Sequence, residues 1–105
     1  MLRTIAEAYK IQQLQEHKLH PIKALYLATL GGARSLSLED KIGNLSVGKE
    51  ADFLVLDLHA TPLMDARINN STHLFEQLFV LMMLGDDRAI SETYIFGQRQ
   101  YQKTA

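Results

Sequence analysis

The sequence predicts an α+β fold of three helices, one strand and a terminal β-hairpin. Three observations carry it. Apolar residues recur at helical spacing over residues 1–17 and 72–84. A short Phe/Val-containing run occupies 51–58. Two β-prone arms flank a Gly-Gln pair near the end. Helices beside a few strands make an α+β pattern.

Residues 1–17 place Leu2, Ile5, Ala6, Tyr9 and Leu14 on one helical face. No capping residue precedes this helix, which suggests a chain cut from something larger. A second helix begins at Pro21, where a missing N–H costs nothing. It continues through Ile22, Ala24, Leu25, Leu27, Ala28 and Leu30, apolar on most sides and therefore expected to be buried on more than one face. Gly31 and Gly32 interrupt it, and a short helical turn over 33–36 follows. They form no phosphate cradle, which needs a Gly-Lys-Ser/Thr sequence after a strand; they allow close helix packing instead.

Residues 41–49 are turn-rich, with Gly43, Asn44 and Gly48 as breakers. The run 51–58 reads as a strand. Both of its faces are largely apolar, which predicts a strand inside a sheet. Residues 61–70 read as loop around Pro62. The third helix, 72–84, has Ser71 or Thr72 to cap its start and Gly85 to end it in the left-handed conformation. Its run 78–84 is core material, or else an oligomer or docking surface. The hairpin spans 92–102, with arms 93–96 and 99–102 and Gly97-Gln98 as the turn.

Composition limits the functions open to such a chain. With 105 residues it is long enough for one small domain. A full (β/α)8 barrel needs about 200 residues or more. Eleven basic and twelve acidic residues, with no basic stripe, argue against a nucleic-acid partner. The absence of cysteine excludes disulfides, thiolate metal sites and Cys nucleophiles, and it suits a reducing compartment. No apolar run approaches the roughly 20 residues of a membrane span, and no signal peptide is seen. The expectation is a cytoplasmic protein without a membrane partner.

The family resemblance rests on residues 27–57. They read Leu-Ala-Thr-Leu-Gly-Gly-Ala-Arg-Ser-Leu-Ser-Leu, then Ile-Gly-Asn-Leu-Ser-Val-Gly-Lys-Glu-Ala-Asp-Phe-Leu-Val-Leu-Asp over 42–57. This resembles the C-terminal signature of the amidohydrolase superfamily. Residues 1–14 and 84–95 (the latter Leu-Gly-Asp-Asp-Arg-Ala-Ile-Ser-Glu-Thr-Tyr-Ile) are similar to the last barrel helix and the ending of guanine deaminases. The resemblance implies that residues 1–40 are helices closing a (β/α)8 barrel. It implies that residues 41–105 are part of the flanking β-sandwich, with one helix and the hairpin. Pro21, Gly43, Gly48, Asp52 and Gly97 then have folding roles, Asp52 accepting backbone N–H bonds beside a turn.

The implied chemistry is zinc-dependent hydrolysis of guanine to xanthine and ammonia, the zinc lowering the pKa of a bound water toward about 7. Such sites combine several His and carboxylate ligands. The family's His-x-His does not occur here, and its ligand aspartate lies just before the helix with which this chain begins. The resemblance therefore places no catalytic, cofactor-binding or metal-binding residue on this sequence, and zinc is expected only in the intact parent enzyme. The Cys-dependent zinc deaminase class is excluded by composition. Homo-oligomerisation is implied by the family alone.

Several residues invite other readings. His17 and His20 have the spacing of a ligand pair, set against helix-end roles. His59 and His73 stand alone and read as surface or capping residues. Asp86 and Asp87 could form an acid/base couple; no nucleophile is near, so a polar turn bridged by Arg88 is expected. Two rival functions stay open: another deaminase of the superfamily, acting on a triazine, cytosine or S-adenosylhomocysteine, and a non-catalytic packing or oligomerisation module.

Overall fold

The structure, a computed structural model, describes residues 1–104. Five helices and a three-stranded sheet make an α+β arrangement. The helices are α1 (Leu2–Leu14), α2 (Pro21–Ala28), α3 (Leu30–Ser35), α4 (Pro62–Asn69) and α5 (Leu74–Leu84). The strands are β1 (Phe53–Leu56), β2 (Ile90–Ile95) and β3 (Gln98–Gln102), with a 3-10 turn at Asp87–Ala89.

Helix α5 forms the middle of the molecule. Its sequence, Leu-Phe-Glu-Gln-Leu-Phe-Val-Leu-Met-Met-Leu, has two polar residues, both near its start. A helix apolar all round must be covered all round. On one side Met82 packs with Ile5 of α1 and Ala24 of α2. On another, Leu81 packs with Met64 of α4 and Ala89 of the 3-10 turn. Leu2 touches both clusters and ties them together. Met64 and Leu81, at 1% and 2% exposure, are the largest fully buried side chains.

Several elements depart from the sequence reading, each for a local reason. The segment 61–70 is not a loop, because Pro62 opens α4 at its first position. Thr61 Oγ1 accepts the Met64 N–H at 3.2 Å, so the proline marks a helix start. The break after α2 falls at Thr29 (φ −121°, ψ −100°), and both Gly31 and Gly32 lie inside α3. A Cβ on Gly31 would lie 3.0 Å from the Tyr26 ring, so the glycine does serve close packing. Helix α5 starts at Leu74, with His73 at its N-cap and no side chain capping there. Instead the Glu76 carboxylate reaches back to accept the Thr72 N–H at 2.8 Å. The bond ties the residue before the N-cap onto the first turn, one position ahead of the N-cap N–H that a capping box uses.

Gly85 ends α5 in extended conformation (φ −72°, ψ 143°), not in the left-handed cap expected. Its role is steric: a Cβ there would overlap the Leu81 carbonyl oxygen and press on the Leu81 side chain. Gly43 is needed on both counts. It has φ +111°, and a Cβ would lie 2.9 Å from the Leu30 Cα, so the 41–49 loop sits tightly on α3.

The sheet has the order β1-β2-β3, antiparallel throughout. Phe53 pairs with Tyr94, their rings stacked at 4.5 Å, and Ile95 pairs with Gln98. The hairpin turn is therefore Phe96-Gly97, one residue earlier than the Gly97-Gln98 expected. Both turn residues have positive φ, +53° and +72°, as a two-residue hairpin turn of the primed type requires. Left-handed backbone is uncommon for phenylalanine. Asp52 holds it: its Oδ1 accepts the Phe96 N–H at 3.0 Å, while the Ala51 carbonyl accepts the Gly97 N–H at 2.9 Å. The Ala51-Asp52 pair of the signature thus fastens a turn more than forty residues away in sequence. Strand β1, expected inside a sheet, is an edge strand of this one.

Leu81→Ala is expected to lower the unfolding free energy by about 2–5 kcal/mol in denaturant titrations, since it empties the joint of both layers. Gly85→Asn and Gly85→Ala are expected to destabilise alike. A left-handed cap would accept asparagine, so a Gly85→Asn protein as stable as the parent would contradict the steric role.

Candidate functional site

The four histidines are put to structural use or kept apart. His20 caps α2: its Nδ1 accepts the Ile22 N–H at 3.1 Å, and its ring lies 4.6 Å from that of Phe75. Just after α1, Glu16 has φ +62° and the His17 N–H donates to the Gln12 carbonyl at 2.8 Å. His59 lies between β1 and α4, where its Nδ1 is 2.5 Å from Asp65 Oδ1 and its N–H donates to Asp57 Oδ1. His73 stands at the start of α5. Among the described residues, no three His, Cys, Asp or Glu side chains come together as a metal site.

Asp86 and Arg88 form an ion pair. Arg88 donates from Nε and Nη2 to both Asp86 oxygens, at 2.8–3.2 Å, and its backbone N–H donates to Asp86 Oδ1 at 3.0 Å. The side-chain bonds from Arg88 hold the Asp86 carboxyl down at about 2, with its backbone N–H and the charge of Arg3 adding to the effect. Asp86 accepts and stays ionised, so it caps the 3-10 turn and is no proton donor near neutral pH. This is the polar turn that the sequence suggests.

Sequence reasoning missed one polar group. Tyr94 Oη donates to Glu92 Oε2 at 2.6 Å, and Arg99 Nη1 lies 3.8 Å from Glu92 Oε1. The Glu92 bond pushes the Tyr94 phenol up from its ordinary value. The signal was present: residues two apart on a strand share a face.

A cleft of about 920 Å³ lies between the start of α1, the 42–45 loop and the sheet. Leu2, Leu25, Ile42, Leu45, Leu54 and Leu56 make its walls mainly apolar. Asp52, Asp86, Asp87 and Arg3 also face it, Asp52 and Asp86 being already engaged by a backbone N–H. The cleft offers surface to be covered and no converging nucleophile, base and oxyanion donor.

Comparison with known proteins agrees with this architecture. The family model described as "Amidohydrolase family" matches residues 1–99. The chain belongs to the amidohydrolase family. It is 54% identical to guanine deaminase of Escherichia coli over 98% of its own length and 24% of that protein's. Mouse guanine deaminase is 34% identical, over 90% of this chain and 22% of the relative. The chain thus spans about a quarter of the length of the curated relatives it matches. The solved E. coli guanine deaminase superposes with a TM-score of 0.95, covering 98% of this chain and 24% of the other. An adenosine deaminase from Xanthomonas campestris, solved with bound zinc, gives a TM-score of 0.76 at 27% identity, over 95% and 22% of the two chains.

The Asp86 carboxyl supplies a pH test. Its value is below the ordinary 3.8, so its contribution to stability is complete above about pH 4 and fades as pH falls through about 2. NMR titration of the Asp86 carboxyl carbon is expected to show this depressed midpoint, and Arg88→Ala is expected to return it toward the ordinary range.

Proposed function

We propose that this chain is the C-terminal part of a guanine deaminase, which hydrolyses guanine to xanthine and ammonia in purine catabolism. One observation carries the reading: likeness to the E. coli guanine deaminase runs over 98% of the chain at 54% identity. The first 40 residues would then be helices closing the catalytic barrel, and the remainder part of the sandwich beside it.

The described residues do not fit a zinc site. His20 Nδ1 is committed to the α2 cap, His59 Nδ1 faces Asp65, and no third ligand joins any of these groups. In this reading the zinc is held by residues outside the chain, and no step of the reaction is assigned to the residues seen here. Their role is to carry the fold. The whole protein is proposed to be cytoplasmic, as its lack of cysteine suits, and homo-oligomeric. No described helix is long and apolar enough to cross a membrane.

A second reading, a family deaminase of another ring system, is favoured by the fold shared with the Xanthomonas adenosine deaminase and by 41% identity over 70% of this chain to a 5-methylthioadenosine/S-adenosylhomocysteine deaminase.

The whole protein carrying this chain, supplied with zinc, is expected to release ammonia from guanine. Turnover of S-adenosylhomocysteine or adenosine with none of guanine would establish the second reading instead. Replacing His17, His20, His59 or His73 by alanine is expected to leave zinc content and kcat per folded molecule unchanged. A variant that loses its metal while remaining folded would contradict the assignment of zinc to residues elsewhere.

A further inference from the structure

Helix N-caps are ordinarily Ser, Thr, Asp or Asn. At the start of α2 the cap is His20, in extended conformation, and Pro21 follows at the first helical position. The His20 Nδ1 accepts the Ile22 N–H at 3.1 Å. An amide N–H can only donate, so Nδ1 must carry a lone pair and no proton, and the proton of the neutral ring sits on Nε2. The cap of α4 is different in kind. There the Thr61 hydroxyl accepts the Met64 N–H and does not titrate near neutral pH. His20 is exposed, so protons reach its ring from solvent.

The segments around His20 hold no charge that would keep a protonated ring in place. His17 and Lys18 lie on the connector from α1, and Lys23 lies on α2 itself. Helix α5 brings the Phe75 ring to 4.6 Å, with His73 and Glu76 beside it in sequence. The Glu76 carboxylate is turned to Thr72. Among the described residues, no ion pair includes His20. A charged imidazole would set an Nδ1–H against the Ile22 N–H. It would also place a cation at the positive end of the α2 dipole. The Phe75 ring works the other way, since its face attracts a cation. Dipole and ring are opposed and alike in size, about two- to fivefold each in an equilibrium. The lost acceptor, about fivefold, therefore decides the sign.

We propose that His20 is a proton-operated catch on the start of α2, closed when its imidazole is neutral and released when it is charged. Ala24, one turn further on, packs with Ile5 and Met82, so the catch sets how firmly α2 enters the helical layer. This holds whatever ring the whole protein acts on.

Amide exchange by NMR, on the whole protein labelled at isoleucine and methionine, tests it. Corrected for the intrinsic rate at each pH, protection of the Ile22 amide is expected to fall about fivefold between about pH 8 and about pH 5, the range in which histidine gains its charge. Protection of the Met64 amide, on its hydroxyl cap, is expected to hold constant. His20→Asn carries an acceptor at the same place along the side chain and gains no proton, so it is expected to keep Ile22 protected at both pH values. His20→Ala is expected to show the low protection at both. Should His20→Ala not fold, the parent and His20→Asn decide between them. Ile22 protection in the parent that ignores pH would overturn the proposal. An equal fall in His20→Asn would overturn it too, because another group would then be responsible.

Discussion

Helix α5 has no polar residue after Gln77, so water cannot be left on any side of it without cost. The rest of the structure follows from covering it. Helices α1 and α2 take one side through Ile5 and Ala24 against Met82. Helix α4 and the 3-10 turn take another through Met64 and Ala89 against Leu81. Neither layer alone would hide the helix. The helical first part of the chain and the sheet-bearing second part are therefore bound into one folding unit. Gly85 belongs to the same constraint, since the chain must leave α5 directly beneath the Leu81 carbonyl to reach Asp86.

Beyond α5, the apolar residues exceed what the chain can bury. Leu45, Val47, Leu54 and Leu27 face outward, and the cleft between α1 and the sheet is lined mainly by hydrocarbon. A chain of this size buries only about 60–70% of its unfolded surface in any case, yet a cleft lined mainly by hydrocarbon is surface of the kind that a partner covers. The polar groups point the same way. Asp52 is spent on the Phe96 turn, Asp86 on Arg88 and its turn, His20 on the α2 cap. Chemistry needs polar groups held in reserve and converging; these three are engaged in holding the fold.

What could be read from sequence was what local chemistry decides. The apolar faces of α1 and α5, the Pro21 start of α2 and a short strand within 51–58 all follow from spacing and residue type. What escaped depends on choices that a window cannot resolve. Pro62 suits both a loop and a helix start, and the Thr61 hydroxyl decided for the helix. The hairpin turn falls on Phe96-Gly97 because Asp52 stabilises a left-handed phenylalanine from across the sheet. Gly85 shows the converse: glycine after a helix suggests a left-handed cap, but here it answers a contact. The edge position of β1 was invisible for the same reason, since which strands lie beside it is a tertiary fact. Among the candidate site residues, the turn role of Asp86 and Arg88 was legible from their adjacency. The Glu92–Tyr94–Arg99 group needed the strand register to be seen.

The account stands on the claim that this chain is scaffold and that its reaction chemistry is carried elsewhere. Metal analysis of the 105-residue chain, purified in the presence of zinc and assayed with guanine, tests that most directly. The expected result is less than stoichiometric zinc and no ammonia release. One tightly held zinc per chain with guanine turnover would contradict it.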